Sequence, residues 1–195
     1  ANEGKYQGTD EAPLSMFIGQ KGATNLAGTK AKLIERLAKE YDKAEQLYQK
    51  AVNTGNPDAL EEMKIKIFDT FGMVRGADGF WRREISDADM EFTEEALRML
   101  DEDRETPEFA PLATIVKHPE LYKAYPELMD VAVSVAYTHG TDYGAYNPYM
   151  NQGKGHIEIL ATTEEQALRI LSHELQHAVQ TYEGFARGGS PEEFN

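Results

Sequence analysis

Two histidines lie four residues apart in the segment His173–His177, which reads His-Glu-Leu-Gln-His. Residues at this spacing lie on one face of an α-helix, so the two imidazoles can bind one metal ion. Glu174 lies about 100° around such a helix from His173, where it suits proton transfer from metal-bound water better than ligation. The segment therefore predicts a zinc site with His173 and His177 as ligands and Glu174 as general base, typical of peptide-bond hydrolysis.

Two surface histidines that flank a glutamate by chance are the alternative, and composition alone gives such a match in roughly one chain in a hundred. The surroundings favour the metal site, because the sequence predicts a long helix that Thr162 or Thr163 caps. Apolar residues recur on one side of this helix and predict its core face: Leu168, Leu171, Leu175, Ala178 and Tyr182. His173, His177 and Gln180 lie on the opposite side, which predicts that they face a cleft or solvent.

Glu183 is the predicted third ligand, a carboxylate that leaves the fourth position of a tetrahedral site to water. It follows His173 by ten residues, the spacing of the third ligand in metzincin proteases, although those proteins carry glycine at the position of Gln180. Gly184 permits the turn of the chain that this role requires. The alternative is that Glu183 caps or pairs locally, for example with Arg187. Other residues would then supply the third ligand: His139, Asp142 or His156.

A further catalytic group is expected in the Tyr/Gly/Asn-rich segment 138–155, which is predicted to be a loop. Tyr143 is the candidate for stabilising the oxyanion of a tetrahedral intermediate, with Tyr146 and Tyr149 beside it in the sequence. The alternative is that these tyrosines only cover the rim of the core. The next segment, residues 156–160, is predicted to be an edge strand that binds an extended peptide through its backbone.

The remaining pattern predicts an α+β fold in which a small sheet and the metal-binding helix follow a helical hairpin. The predicted domains are an extended arm (1–28), a helical hairpin (29–72) and the core (73–195). Within them the periodicity predicts these elements: helices at 29–52 and 57–71, a β-hairpin at 73–85, a strand at 131–137 and a strand at 156–160.

Composition excludes several classes of function. The 195 residues include no cysteine, which rules out disulfides, thiolate catalysis and cysteine-based zinc sites. A net charge of −14 repels phosphate backbones and anionic lipids, so neither nucleic acid nor membrane is an expected partner. No segment reaches the roughly 18 apolar residues of a membrane helix. The first residues show no signal-peptide pattern and no initiator Met, so we expect an excised or processed piece that a signal peptide does not secrete.

Four segments of the chain resemble domains of large polyvalent proteins of bacteriophages and prophages: residues 17–23, 76–87, 118–128 and 173–189. They occur in order and span nearly the whole chain, which makes them more specific than the zinc motif alone. The resemblance implies a zincin-like metallopeptidase (HExxH) fold within a multidomain phage protein. Glu183 matches a recurrent glutamate of the last segment, which implies a role as zinc ligand.

Two functions are consistent with these observations. The first is a zinc endopeptidase that cuts host proteins or its own parent polypeptide. The alternative is a structural or ejected virion component that keeps the zincin fold as a binding or scaffolding module. The intact Glu174 favours the first, because a scaffold needs no general base. The expected partners are a peptide or protein substrate, other domains of the parent protein and other virion proteins. The expected location is the virion or the host cytoplasm.

Overall fold

Helices and strands are mixed along the chain, and this confirms the predicted α+β class. The structure is a computed structural model and describes residues 15–87, 89–101 and 106–185. Residues 1–14 of the predicted N-terminal arm, Arg187 and the end of the last resemblance segment lie outside the described residues. The prediction that this arm is extended is wrong for Gln20–Ala27, which form an α-helix. Among the described residues, no helix combines the length and the apolar character that crossing a membrane requires.

The strands are β1 (Ser15–Ile18), β2 (Met73–Arg75), β3 (Trp81–Ser86), β4 (Glu91–Phe92), β5 (Ala110–Pro111), β6 (Val116–Lys117), β7 (Ala132–Tyr137), β8 (Tyr143–Asn147) and β9 (His156–Ala161). The α-helices are α1 (Gln20–Ala27), α2 (Ala31–Asn53), α3 (Pro57–Phe71), α4 (Glu94–Asp101), α5 (Leu112–Ile115), α6 (Pro119–Ala124) and α7 (Glu164–Glu183). Short 3-10 helices occupy Pro126–Asp130 and Asn151–Gly153.

The described residues pack into two compact units. The sheet unit comprises Ser15, Met16 and residues 86–182, and the hairpin unit comprises residues 17–85 and 183–185. The domain boundary predicted after residue 72 assigns β2 and β3 to the core. In the structure both strands belong to the hairpin unit, because Met73 packs in one cluster with residues of α2 and α3.

The hairpin unit is built on α2 and α3, close to the predicted helical hairpin. The Asn56 side chain accepts a hydrogen bond from the Asp58 amide at 3.0 Å and caps α3. Gly72 ends α3 in the left-handed conformation, with φ of 65°, which glycine adopts without a Cβ clash. The chain then turns back as the predicted β-hairpin, in which β2 pairs antiparallel with β3.

The main sheet of the sheet unit has the strand order β5-β7-β9-β8. β7 and β9 are parallel, whereas β8 runs antiparallel to β9. The prediction of one loop over residues 138–155 is therefore wrong, because residues 143–147 form β8. The prediction that β9 lies at the edge is also wrong: in the described part of the chain, β8 is the outer strand and β9 lies inside.

One buried carboxylate joins three distant parts of the sheet unit. Asp87 pairs through one oxygen with Nε2 of His118, and its other oxygen accepts a hydrogen bond from the Ser172 hydroxyl. The second nitrogen of His118, Nδ1, accepts a bond from the Leu121 amide at 3.3 Å and caps α6. Asp87 therefore ties the residue after β3 to the start of α6 and to the turn of α7 that begins the predicted zinc motif.

The resemblance segments outside the zinc motif contribute buried contacts of this kind. In the hairpin unit, the Arg82 guanidinium donates to both carboxylate oxygens of Asp78, each at 2.9 Å. It also lies 3.9 Å from the ring centre of Phe185. Arg82 is only 1% exposed, so this pairing satisfies a charge that burial would otherwise penalise. Asp78, Arg82 and Asp87 all belong to the segment 76–87, whose contacts stabilise both units.

Replacing Asp87 tests its role in the sheet unit. Asp87→Ala leaves the His118 ring nitrogen and the Ser172 hydroxyl unpaired in a buried site, and we expect it to lower the free energy of unfolding by about 3–5 kcal/mol. Asp87→Asn, which keeps one acceptor oxygen, should lose less. Asp89→Ala, at an exposed carboxylate two residues away, should stay within about 0.5 kcal/mol of the parent protein. Urea unfolding measures the stability of all three variants. Equal stability of Asp87→Ala and Asp89→Ala would show that the Asp87 carboxylate does not stabilise the sheet unit.

Candidate metal centre

The predicted zinc motif lies on α7, and this helix is buried on nearly all sides. Its first turn is capped by Thr163, whose hydroxyl accepts a hydrogen bond from the Gln166 amide at 3.1 Å. The buried residues of its central part are Ile170, Leu171, Ser172, Glu174, Leu175, Gln176, Ala178, Val179 and Gln180. The predicted polar face is therefore wrong in one respect: Gln180 is buried, and His173 and His177 are half-buried. Packing thus restricts the side chains around the motif to few rotamers.

The two imidazoles meet through their Nε2 atoms. Nε2 of His173 lies 3.2 Å from Nε2 of His177, and the ring planes cross at 89°. Two nitrogens that each lie 2.0–2.1 Å from a tetrahedral zinc ion are about 3.3 Å apart. The separation therefore fits a shared zinc ion. In the metal-free protein, a single proton between the two nitrogens is consistent with the same distance, and an ion would replace that proton.

His173 is in an environment that favours the neutral imidazole. Burial, and secondarily the neighbouring His177, lowers the pKa of His173 to about 4. A neutral ring offers a lone pair to a metal, whereas a protonated ring does not. On the other side of His177, its Nδ1 atom lies 3.3 Å from Oε1 of Gln180. An amide oxygen only accepts hydrogen bonds, so this contact favours the tautomer of His177 that carries its proton on Nδ1.

Glu174 lies beneath the outer strand β8. It is 4% exposed, and burial raises the pKa of its carboxyl group to about 7, the range in which a general base works near neutral pH. A Cβ atom on Gly144 would lie 3.0 Å from Oε1 of Glu174 and 2.3 Å from Cγ2 of Ile170. The strand can therefore approach the carboxylate this closely only because residue 144 has no side chain.

Glu183, the predicted third ligand, binds backbone amides in the hairpin unit. Its Oε1 accepts a hydrogen bond from Gly22 N–H at 2.8 Å, and its Oε2 accepts one from Lys21 N–H at 3.2 Å. Both amides belong to the first turn of α1, where the helix dipole favours a negative charge. A Cβ on Gly19 would lie 2.4 Å from Cδ of Glu183, so this contact also needs a bare glycine. The structure thus gives Glu183 a capping contact. Because α7 continues through Glu183, the chain does not make the turn that the ligand role requires before this residue, and that role stays a prediction.

The other candidate ligands have different surroundings. Asp142 accepts a hydrogen bond from the Thr162 amide at 2.8 Å, and the His156 ring lies 4.0 Å from the ring of Phe109. His139 lines a cleft of about 680 Å³ in the sheet unit, together with residues of β7. Within the described ranges, no group of three or more His, Asp or Glu side chains could hold a metal ion. The structure thus brings together His173 and His177 and none of the three substitutes.

The strand register separates the predicted tyrosines. Gly144, which contacts α7, pairs with Ile159, and alternation along the strand puts Tyr146 on this same face of β8. Tyr143 lies on the opposite face, so the register gives no support to its predicted catalytic role. Tyr149 lies beyond the strand and is 75% exposed. Of the three, Tyr146 is therefore the residue on the helix side of the sheet.

Sequence reasoning missed two residues of this site. Gly144 carries no signal in a single sequence, because a glycine in a Tyr/Gly/Asn-rich segment predicts a loop. Gln180 carries a signal, since its spacing puts it on the face of His173 and His177, but that face is predicted to meet a cleft or solvent. Its burial became visible only in the packed helix.

The chain matches no family model, no curated protein and no solved structure. The geometry around His173 and His177 is therefore what supports a function.

A methyl group at position 144 tests the contact between β8 and α7. We expect Gly144→Ala to lower the free energy of unfolding by about 1–3 kcal/mol, because the new Cβ meets Ile170 and Glu174 in a packed layer. Gly140→Ala is the matched control, since a Cβ there meets nothing closer than 3.5 Å. Thermal unfolding of both variants measures the difference. If Gly144→Ala is as stable as Gly140→Ala, then β8 does not pack closely against Glu174.

Proposed function

We propose that this chain is a zinc-dependent peptide hydrolase with a zincin-like core. The observation that carries the proposal is the pair of Nε2 atoms 3.2 Å apart on α7, with the buried Glu174 carboxyl group between them in sequence. Two neutral imidazoles and a neighbouring carboxylate are the donor set and the base that zinc hydrolases use.

His173 and His177 would hold the ion through Nε2. Zinc, when bound, lowers the pKa of a coordinated water toward about 7 and polarises a substrate carbonyl. Glu174 accepts a proton at its carboxylate and later delivers it to the leaving amine. The backbone of β8 covers that carboxylate at Gly144 and limits access of bulk water, which keeps the proton on the path between base and substrate.

The substrate class that fits best is an extended peptide. One side of β8 pairs with β9, and no strand in the described part of the chain pairs with the other side. An extended segment can add to such a side by backbone hydrogen bonds, which positions its carbonyl groups regularly along the strand. Because β8 lies over Glu174, a peptide bound there would pass close to the proposed base.

The biological setting is proposed from the family resemblance alone. A domain of a phage protein would act in the virion or in the cytoplasm of the host, on host proteins or on its own parent polypeptide. Its partners would then include other domains of that polypeptide and other virion proteins. The alternative function, a binding or scaffolding module of the virion, predicts that zinc is bound and no peptide is cut.

Zinc content and the role of Glu174 can be measured together. We expect about one equivalent of zinc by elemental analysis of protein purified without added metal, and cleavage of fluorescently labelled casein that a chelator stops. Glu174→Gln should keep the zinc and slow cleavage by about 10²- to 10⁴-fold, because only the base is lost. Glu164→Gln, the same change at an exposed position of α7, should leave both readouts unchanged.

Three results would contradict the proposed roles. A protein that neither contains nor takes up zinc is not a zinc hydrolase. Loss of zinc in Glu174→Gln would make Glu174 a ligand instead of the base. A wild-type protein that holds zinc but cuts no protein or peptide would favour the binding module.

Glu183 is proposed as the third ligand, and two replacements separate this role from the cap on α1. Neither an amide nor a methyl group replaces a carboxylate ligand, so Glu183→Gln and Glu183→Ala should both weaken zinc binding by more than about 100-fold. Glutamine still offers an oxygen to the Gly22 amide, so only Glu183→Ala should strongly speed amide exchange in α1. Glu164→Ala controls for the loss of a charge on α7. Wild-type zinc affinity in Glu183→Gln would leave Glu183 with the capping role alone.

A further inference from the structure

The side chain of Gln180 contacts His177, which is one of the two proposed zinc ligands. It follows His177 by three residues on α7, so both side chains lie on one stretch of the helix surface. Gln180 is only 5% exposed, and its side-chain Oε1 atom lies 3.3 Å from Nδ1 of His177. A buried amide at this distance holds the imidazole in one orientation.

The contact decides which nitrogen of His177 carries the proton. A neutral imidazole has one N–H group and one lone pair, and an amide oxygen can only accept a hydrogen bond. With Oε1 at Nδ1, the proton lies on Nδ1 and the lone pair lies on Nε2. That lone pair points toward Nε2 of His173, 3.2 Å away, where the proposed ion would bind.

We propose that Gln180 is a positioning residue that fixes the Nδ1–H tautomer and the ring orientation of His177, so that Nε2 is ready to bind zinc. The proposal deepens the proposed metal site and rests on it. Gln180 does not touch the ion; it acts through the ring of His177. It donates nothing to the ligand set, and its effect on affinity comes from the cost of rotating or re-protonating an unsupported imidazole.

Burial makes this arrangement specific to an oxygen acceptor at position 180. Leucine at this position keeps the volume and the apolar packing but accepts no hydrogen bond. The ring of His177 would then exchange between tautomers, and part of the population would present N–H at Nε2. Glutamate keeps an oxygen at the same position, and it would restore the Nδ1–H tautomer.

The test measures the tautomer and the metal separately. Nitrogen NMR of the imidazoles in the metal-free protein reports which ring nitrogen of His177 is protonated, and competition with a zinc indicator dye reports affinity. We expect the Nδ1–H form in the wild-type protein, mixed tautomers in Gln180→Leu, and recovery of the Nδ1–H form in Gln180→Glu. Zinc affinity should fall about 10- to 100-fold in Gln180→Leu and recover largely in Gln180→Glu.

A matched variant controls for the replacement of a buried glutamine. Gln176 is also on α7 and is 4% exposed, so Gln176→Leu makes the same chemical change on the same helix without changing the contact of His177. It should keep the wild-type His177 tautomer, and circular dichroism should show a helical fold in all variants.

The outcomes separate this proposal from the proposed function. A wild-type protein with no affinity for zinc overturns the zinc site and this proposal with it. Zinc binding in the wild type together with unchanged affinity in folded Gln180→Leu overturns only the role of Gln180. An Nε2–H tautomer of His177 in the wild-type protein also overturns it, since Gln180 would then present its amide nitrogen to the ring.

Discussion

The Nε2 atoms of His173 and His177 lie 3.2 Å apart, and the proposed metal site depends on this separation. The helix repeat puts the two rings on one face, but it does not by itself turn their nitrogens toward each other. That orientation comes from packing around α7, because the residues between and beside the histidines are buried. A helix exposed on its polar face would leave both rings free to rotate and would lose affinity to that disorder.

Several neighbouring residues restrict the side chains in and beside the zinc motif. Gln180 contacts the far nitrogen of His177, and Gly144 lets β8 lie directly on the Glu174 carboxylate. Ser172, the residue before His173, binds the buried carboxylate of Asp87. These contacts come from a strand, from a segment far earlier in the chain and from the helix itself. The proposed chemistry therefore depends on the whole sheet unit and not on the motif alone.

Part of the fold and of the candidate site could be predicted from the sequence, and the rest could not. Local signals were sufficient for α2, α3 and the β-hairpin, because capping by Asn56 and the positive φ of Gly72 are encoded within a few residues. The spacing of His173 and His177 gave the imidazole pair for the same reason. In contrast, β8 is composed of Tyr, Gly, Ala and Asn, and only pairing with β9 makes it a strand. No local pattern could show that Asp87 contacts Ser172, which is 85 residues away.

The predicted domain boundary failed for a related reason. Gly72 marks the end of a helix, but a β-hairpin joins whichever core its apolar residues reach. Met73 packs with residues of α2 and α3, so the strands that follow belong with the helices. Glu183 shows the same dependence on tertiary contacts, since the amides of Lys21 and Gly22 that it binds lie more than 150 residues earlier.

Anomalous diffraction at the zinc edge, from crystals grown with zinc, would show whether His173 and His177 bind one ion. We expect one strong peak that lies about 2.0–2.1 Å from Nε2 of both His173 and His177, at roughly tetrahedral angles. Absence of a peak there, with the two rings still joined by a hydrogen bond and zinc found elsewhere or not at all, would contradict the proposed metal site.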